Sequence, residues 1–181
     1  MSEPLIDLAV EEEGWLDDLP DLEAHAEAAA RLALEAAGLD SKGWEISLLA
    51  CSDSRIAELN RAFRGKPAPT NVLSWPAFDL APDRPGAPPP PPRRSPDIPS
   101  QSLGDVAIAL QTTRAEARER AIPLKDHAIH LILHGCLHLL GFDHETEADA
   151  ELMEGIETRA LARIGVADPY LRSDAGQPRP D

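Results

Sequence analysis

The run His134-Gly135-Cys136-Leu137-His138-Leu139-Leu140-Gly141-Phe142-Asp143-His144 constrains this chain more than any other segment. His134 and His138 are four apart, so on a helix their rings leave successive turns on the same side. Gly141 tolerates positive φ, which ends the helix and lets the chain double back toward His144. The fold must therefore supply a helix, a sharp stop and a return that brings a third imidazole to the first two. Three neutral imidazoles with no fourth protein ligand in the run is the pattern of a catalytic zinc, whose open position takes water or a substrate oxygen. Cys136, about 200° round a helix from His134, points elsewhere. His127 and His130, on the same predicted helix, are expected to be buried core residues and not ligands.

The spacing His-x3-His-x5-His with Gly between the last two is also that of metzincin peptidases, in which a Glu after the first His activates the metal-bound water. Here that residue is Gly135, so a peptidase would lack its base. The pattern His-Gly-x-Leu-His-Leu-x-Gly-x-Asp-His resembles the signature of the YbeY family of bacterial ribosome-maturation endoribonucleases. The resemblance covers roughly residues 44–165 apart from one insertion. It implies a metal-dependent endoribonuclease specific for single strands, acting in maturation and quality control of small-subunit ribosomal RNA. It also implies zinc, one ion per chain, at His134, His138 and His144.

A second stretch, Arg64-Gly65-Lys66 followed by Pro69-Thr70-Asn71-Val72-Leu73-Ser74-Trp75, resembles the other signature of that family. There the Arg faces the metal cleft, which implies a catalytic and substrate-binding role for Arg64. A guanidinium presents a fork of donors matched to a phosphate; the other reading of Arg64 is a helix-terminal cation that favours the dipole. Lys66 is a second candidate phosphate contact. Leu103-Gly104-Asp105-Val106 resembles a further family strand. Asp105 at its start either orients a histidine from behind or is a turn residue. Asp143 either takes the nucleophile's proton or orients a ligand imidazole.

Taken in order, residues 4–10 read as a strand, 19–37 as an Ala-rich helix with Leu22, Ala26, Ala29 and Ala33 on one side, and 44–51 as a second strand. Ser52 is a candidate N-cap for a helix reaching Arg64. Residues 70–75 make a short strand stopped by Pro76, which belongs at a sheet edge. Residues 79–101 form a Pro-dominated insertion, where the family usually has a short connection; Pro88 to Pro92 cannot enter a ladder or a helix interior, so an extended or disordered loop is expected. An apolar central strand follows at 103–110, then helices at 112–122 and 124–140. A last helix after His144 has Ala148, Leu152, Ile156 and Ala160 as its apolar face. This order implies an α+β architecture with a small mixed sheet of about four strands backed by helices, and the resemblance adds a zincin-like metal site. One domain is expected over residues 1–167, with a flexible tail over 168–181.

Charge and composition limit the partners. With 17 basic and 32 acidic residues the formal charge is −15, which repels a polyanion unless cations gather locally. Two such groups are visible: Arg55, Arg61, Arg64 and Lys66, then Arg114, Arg118, Arg120 and Lys125. Aromatic residues are only 4%, which argues against a base-stacking platform. Two cysteines without a framework, and no basic leader or membrane-length apolar run, imply a reduced cytoplasmic protein with no membrane partner. The expected partners are ribosomal RNA and the small ribosomal subunit, with ribosomal proteins or an assembly GTPase as protein contacts. The rival readings are a non-catalytic ribosome-assembly factor with a structural metal, to which the acidity is suited, and a metallohydrolase of another substrate class.

Overall fold

The Leu- and His-rich run ahead of Gly141 forms the spine of the molecule, a helix buried along almost its whole length. The structure is a computed structural model and describes residues 3–171. Its elements are β1 (Ile6–Val10), α1 (Gly14–Asp18), α2 (Leu22–Ala36), β2 (Trp44–Cys51), α3 (Asp53–Arg64), β3 (Val72–Pro76), β4 (Gln101–Ala109), α4 (Leu110–Glu119), α5 (Leu124–Leu139, the spine) and α6 (Glu147–Ala162). The four strands form one sheet in the order β1-β2-β4-β3. β1, β2 and β4 run parallel, and β3 lies antiparallel on β4 with Ser74 opposite Val106. This is the expected α+β arrangement, a mixed sheet backed by helices. Among the described residues no helix is long and apolar enough to cross a membrane.

The pleat of β4 divides its side chains between two layers, because successive residues face opposite sides of a sheet. Val106 and Ile108 join the larger core with α2 and α5, whereas Ala107 and Ala109 join Leu73, Cys51 and Ile56 under α3. α5 presses hard on the sheet at Gly135. A Cβ there would lie 2.8 Å from Val106 Cγ1 and 3.2 Å from Ser74 Oγ. Gly135 also accepts a hydrogen bond on its carbonyl from Ser74 Oγ at 3.2 Å, which ties the spine to the edge strand. The missing side chain thus has a structural cause: a glutamate at this position has no room.

α3 begins where Ser52 Oγ accepts from Arg55 N at 3.2 Å and ends at Gly65, whose φ of 69° closes the helix directly after Arg64. Asn60 Nδ2 then donates to Ala68 O at 2.9 Å, leading the chain into β3 at the sheet edge. Two expected elements differ in detail. The Ala-rich helix starts at Leu22, after the short α1 whose buried Trp15 donates Nε1 to Cys51 O at 3.0 Å. The buried side of α6 is Ala150, Met153, Ile156, Glu157, Ala160 and Leu161, so the apolar face is rotated from the expected one; Ala148 is exposed and Leu152 only half-buried.

The proline-rich insertion is expected to be an extended or disordered loop. Between Pro76 and Gln101 it has no helix or strand, yet it is fastened along its length. Phe78 packs edge-to-face on Trp44 at 5.8 Å, Leu80 is buried, Gly86 N donates to Asp149 Oδ1 at 2.8 Å, and Arg94 Nη1 donates to Lys42 O at 3.3 Å. Proline needs little order imposed on it, since its φ is already fixed. The first residues of the expected tail make contacts: Thr158 Oγ1 donates to Asp168 Oδ1 at 3.1 Å and Arg120 Nη2 to Pro169 O at 2.5 Å. Residues 172–181 lie outside the described residues.

Candidate metal centre

The spine ends in a Schellman turn, with Phe142 N donating to Leu137 O at 3.1 Å and Gly141 N to His138 O at 3.0 Å. Gly141 takes φ 94°, a conformation that a side chain would strain. Asp143 Oδ1 accepts from the His144 amide at 2.7 Å and pins the returning strand of the turn. The turn delivers His144 beside the two helical histidines. Ring centroids are 4.5 Å apart for His134 and His138, 5.1 Å for His138 and His144, and 5.4 Å for His134 and His144. One ring nitrogen from each lies within 4.8 Å of the others, so the three together could hold a metal ion.

Hydrogen bonding decides which nitrogens are available. His138 Nδ1 lies 2.9 Å from Phe142 O, an acceptor only, so Nδ1 carries the proton. His134 Nδ1 lies 2.5 Å from Glu157 Oε1 and donates to that carboxylate. Burial opposes the Glu157 charge, but hydrogen bonds from His130 and His134 outweigh it and hold the carboxyl well below its usual range. Burial, with the neighbouring His134 and His144, lowers His138 to about 3, so this ring is neutral at physiological pH. With both protons on Nδ1, the Nε2 atoms of His134 and His138 meet at 3.0 Å with lone pairs toward each other. A cation between them turns that repulsion into attraction. His144 Nε2 is buried with no hydrogen-bond partner among the described residues. The donor set therefore fits a divalent transition metal bound by three imidazoles.

Glu157 escaped sequence reasoning, though a signal was present: it is a carboxylate on the apolar side of α6, where only a partnered charge is tolerated. Its Oε2 accepts from Tyr170 Oη, and His130 Nε2 lies 3.3 Å from Tyr170 Oη. His130, His134 and Glu157 make a second group with ligand-like spacing, but all three are buried and Glu157 already faces both rings. The three-histidine group faces the larger space, since His138 and His144 line a cleft of about 720 Å³, whereas His130 borders a pocket of about 110 Å³. His127 is buried with its Nε2 3.7 Å from Glu116 Oε1 and belongs to neither group.

Arg64, Ser74 and Pro76 line the same cleft, so the end of α3 and the edge strand face the histidines across it. Lys66 is exposed and does not line it. Asp105 is corrected on both readings: it is neither a turn residue nor behind a histidine. It stands exposed within β4, beside Ser47 and Trp75, on the sheet face away from α5. Asp143 bonds the His144 backbone, so the orienting of imidazoles falls to Glu157 and the Phe142 carbonyl. The basic groups are partly neutralised. Arg55 pairs with Glu11 and Glu58, and Arg114 with Asp18 at 2.6 Å.

Fold and site define an α+β protein with a three-imidazole centre at the base of a cleft, capable of holding a metal ion. The chain belongs to the Endoribonuclease YbeY family, whose model matches residues 10–165. Among curated proteins it is 52% identical over 165 residues to the Endoribonuclease YbeY of Jannaschia sp. (strain CCS1), covering 91% of this chain and 99% of that one. It is likewise 52% identical over 165 residues to the Endoribonuclease YbeY of Dinoroseobacter shibae (91% and 90% covered). The one from Cereibacter sphaeroides is 49% identical over 168 residues (93% and 99%). A solution structure of TM1509 from Thermotoga maritima aligns over 96% of this chain and 99% of that one, with 21% identity and a TM-score of 0.48.

Proposed function

We propose that this chain is a zinc-dependent endoribonuclease acting on single-stranded RNA in small-subunit ribosomal RNA maturation, in the cytoplasm. The observation that carries the reading is the convergence of three imidazoles, with one ring nitrogen of each within 4.8 Å of the others, at a cleft that Arg64 also lines. Zinc held by His134, His138 and His144 would supply Lewis acidity toward the scissile phosphate. Arg64 ends α3 with its side chain exposed and takes no ion pair among the described residues, so its fork of donors is available to a phosphate oxygen. Gly65 fixes that position by stopping the helix one residue later. Asp143 acts on the centre by holding the backbone of His144, and Glu157 by holding the proton on His134 Nδ1.

A second reading draws on the charge of −15: an assembly factor with a structural metal, binding basic ribosomal proteins or an assembly GTPase on the small subunit. Cleavage separates the two. Zinc-loaded protein and identically purified His138→Ala are given a labelled single-stranded ribosomal RNA fragment, with Arg64→Lys alongside. Cleavage is expected in the parent, absence of cleavage in His138→Ala, and a rate lowered about tenfold or more in Arg64→Lys with zinc retained. Equal cleavage by parent and His138→Ala, or none by either, would overturn the nuclease reading.

A further inference from the structure

The cleft has a second wall that neither the histidines nor Arg64 explains. It is made by residues 78–85 of the proline-rich insertion. The wall is fitted to the metal turn: a Cβ on Gly141 would meet Leu80 O at 2.5 Å and Pro89 Cβ at 2.8 Å. Beyond it, Pro88 to Pro92 line a second pocket together with Leu140 and Phe142, just past α5, and Leu152 of α6. The backbone of this segment is therefore held at Leu80 and again at Gly86, where Asp149 accepts from the amide. Arg84 lies between those two anchors, lines the cleft and is exposed.

Its guanidinium makes no ion pair or side-chain hydrogen bond among the described residues, unlike Arg31, Arg55, Arg114 and Arg163, each of which is paired with a carboxylate. Arg64 and Arg84 are thus two unpaired guanidiniums delivered to one cleft by separate elements. The carboxylates around them are partly spent: Asp149 on the Gly86 amide and Thr146, Asp143 on the His144 amide. Asp79, Asp83 and Glu145 also line the cleft and oppose a bulky polyanion. A duplex, with its denser charge, suffers that repulsion more than a single strand does.

We propose that Arg84 is a second phosphate-binding residue, and that the insertion wall and α3 hold two phosphates of one extended RNA strand on either side of the metal centre. This rests on the nuclease reading above. It assigns to the insertion a role in substrate choice, where an unattached loop would have none.

Binding of a labelled 2′-O-methyl oligonucleotide, which has no 2′-hydroxyl to react, tests the assignment in the zinc-loaded full chain. Kd is measured across a salt series for the parent, Arg84→Ala and Arg84→Lys, with zinc content and melting temperature recorded for each. Arg84→Ala should bind about tenfold more weakly, as loss of one charge-assisted contact implies. The slope of log K against log salt should fall by about 0.7, the value for one phosphate contact on a single strand. Arg84→Lys should keep the parental slope and recover only part of the affinity. Zinc content and melting temperature should not move, because Arg84 has no partner to lose. Parental affinity and slope in Arg84→Ala, with RNA cleavage intact in the parent, would overturn this inference and leave the nuclease reading standing. A parent that neither binds the oligonucleotide nor cleaves RNA would overturn both.

Discussion

Each of the three histidines is held by a different anchor: His134 by a buried carboxylate, His138 by the Phe142 carbonyl, and His144 through its own backbone by Asp143. The carboxylate anchor is the strongest, since an ionised acceptor roughly doubles the strength of a hydrogen bond. Glu157→Gln keeps the shape but removes that charge. It is expected to weaken zinc binding about 10- to 100-fold while the circular dichroism spectrum stays unchanged, which a competition titration with a chelating dye will read. Parental zinc affinity would show that Glu157 is only a buried filler. The three histidines themselves were legible as a group because a helical i, i+4 pair and a helix-stopping Gly leave a sequence signature. Glu157 lies on another element and its contact with His134 is purely tertiary, so no local spacing announces it. Lys66 shows the reverse case, in which proximity to Arg64 along the chain implied a closeness that the loop does not deliver, while the pleat turns Asp105 to the sheet face away from α5.

The spine approaches the sheet closely enough that Gly135 controls the fit between them. Two effects oppose each other in Gly135→Ala. Helix propensity favours Ala by about 1 kcal/mol, whereas the new methyl group would sit 2.8 Å from Val106 Cγ1 in a packed layer. Overpacking of this kind costs about 1–3 kcal/mol, and the contact is to a branched side chain fixed between strand and helix, so crowding wins. The substitution should lower the melting temperature by several degrees and leave the order of strands intact; an unchanged or raised value would mean that the layers yield freely. Strand and helix order was readable from periodicity, and β3 from the proline that ends it. The insertion was not, because proline-rich composition speaks against helices and ladders but says nothing of whether a stiff, irregular segment finds a surface to lie on. The surface it found, around Gly141 and Asp149, is made by residues some 60 positions away along the chain.

Cys51 lies under α3 and Cys136 is on the buried helix α5, so one thiol is sealed on each side of the sheet. Burial, with the nearby Glu11 charge, pushes Cys51 from 9.0 up to about 12, and burial alone does the same to Cys136. A raised pKa in the folded state means that the unfolded chain loses its protons first. The stabilising contribution is thus complete below pH 9 and is lost as pH climbs from 9 toward 12. Unfolding by urea should show a falling midpoint over that interval, and a disulfide reagent at pH 8 should label both thiols at the rate of global opening. Rapid labelling of either one would show that its layer opens alone. The topology also sets an order in time. His134, His138 and His144 all precede α6, yet the carboxylate that fixes the first of them is Glu157 and the hydroxyl that braces this carboxylate is Tyr170. During synthesis the three histidines leave the ribosome before their support does, so the centre is completed only after nearly all of the described chain has emerged, and a chain still being made lacks the finished arrangement.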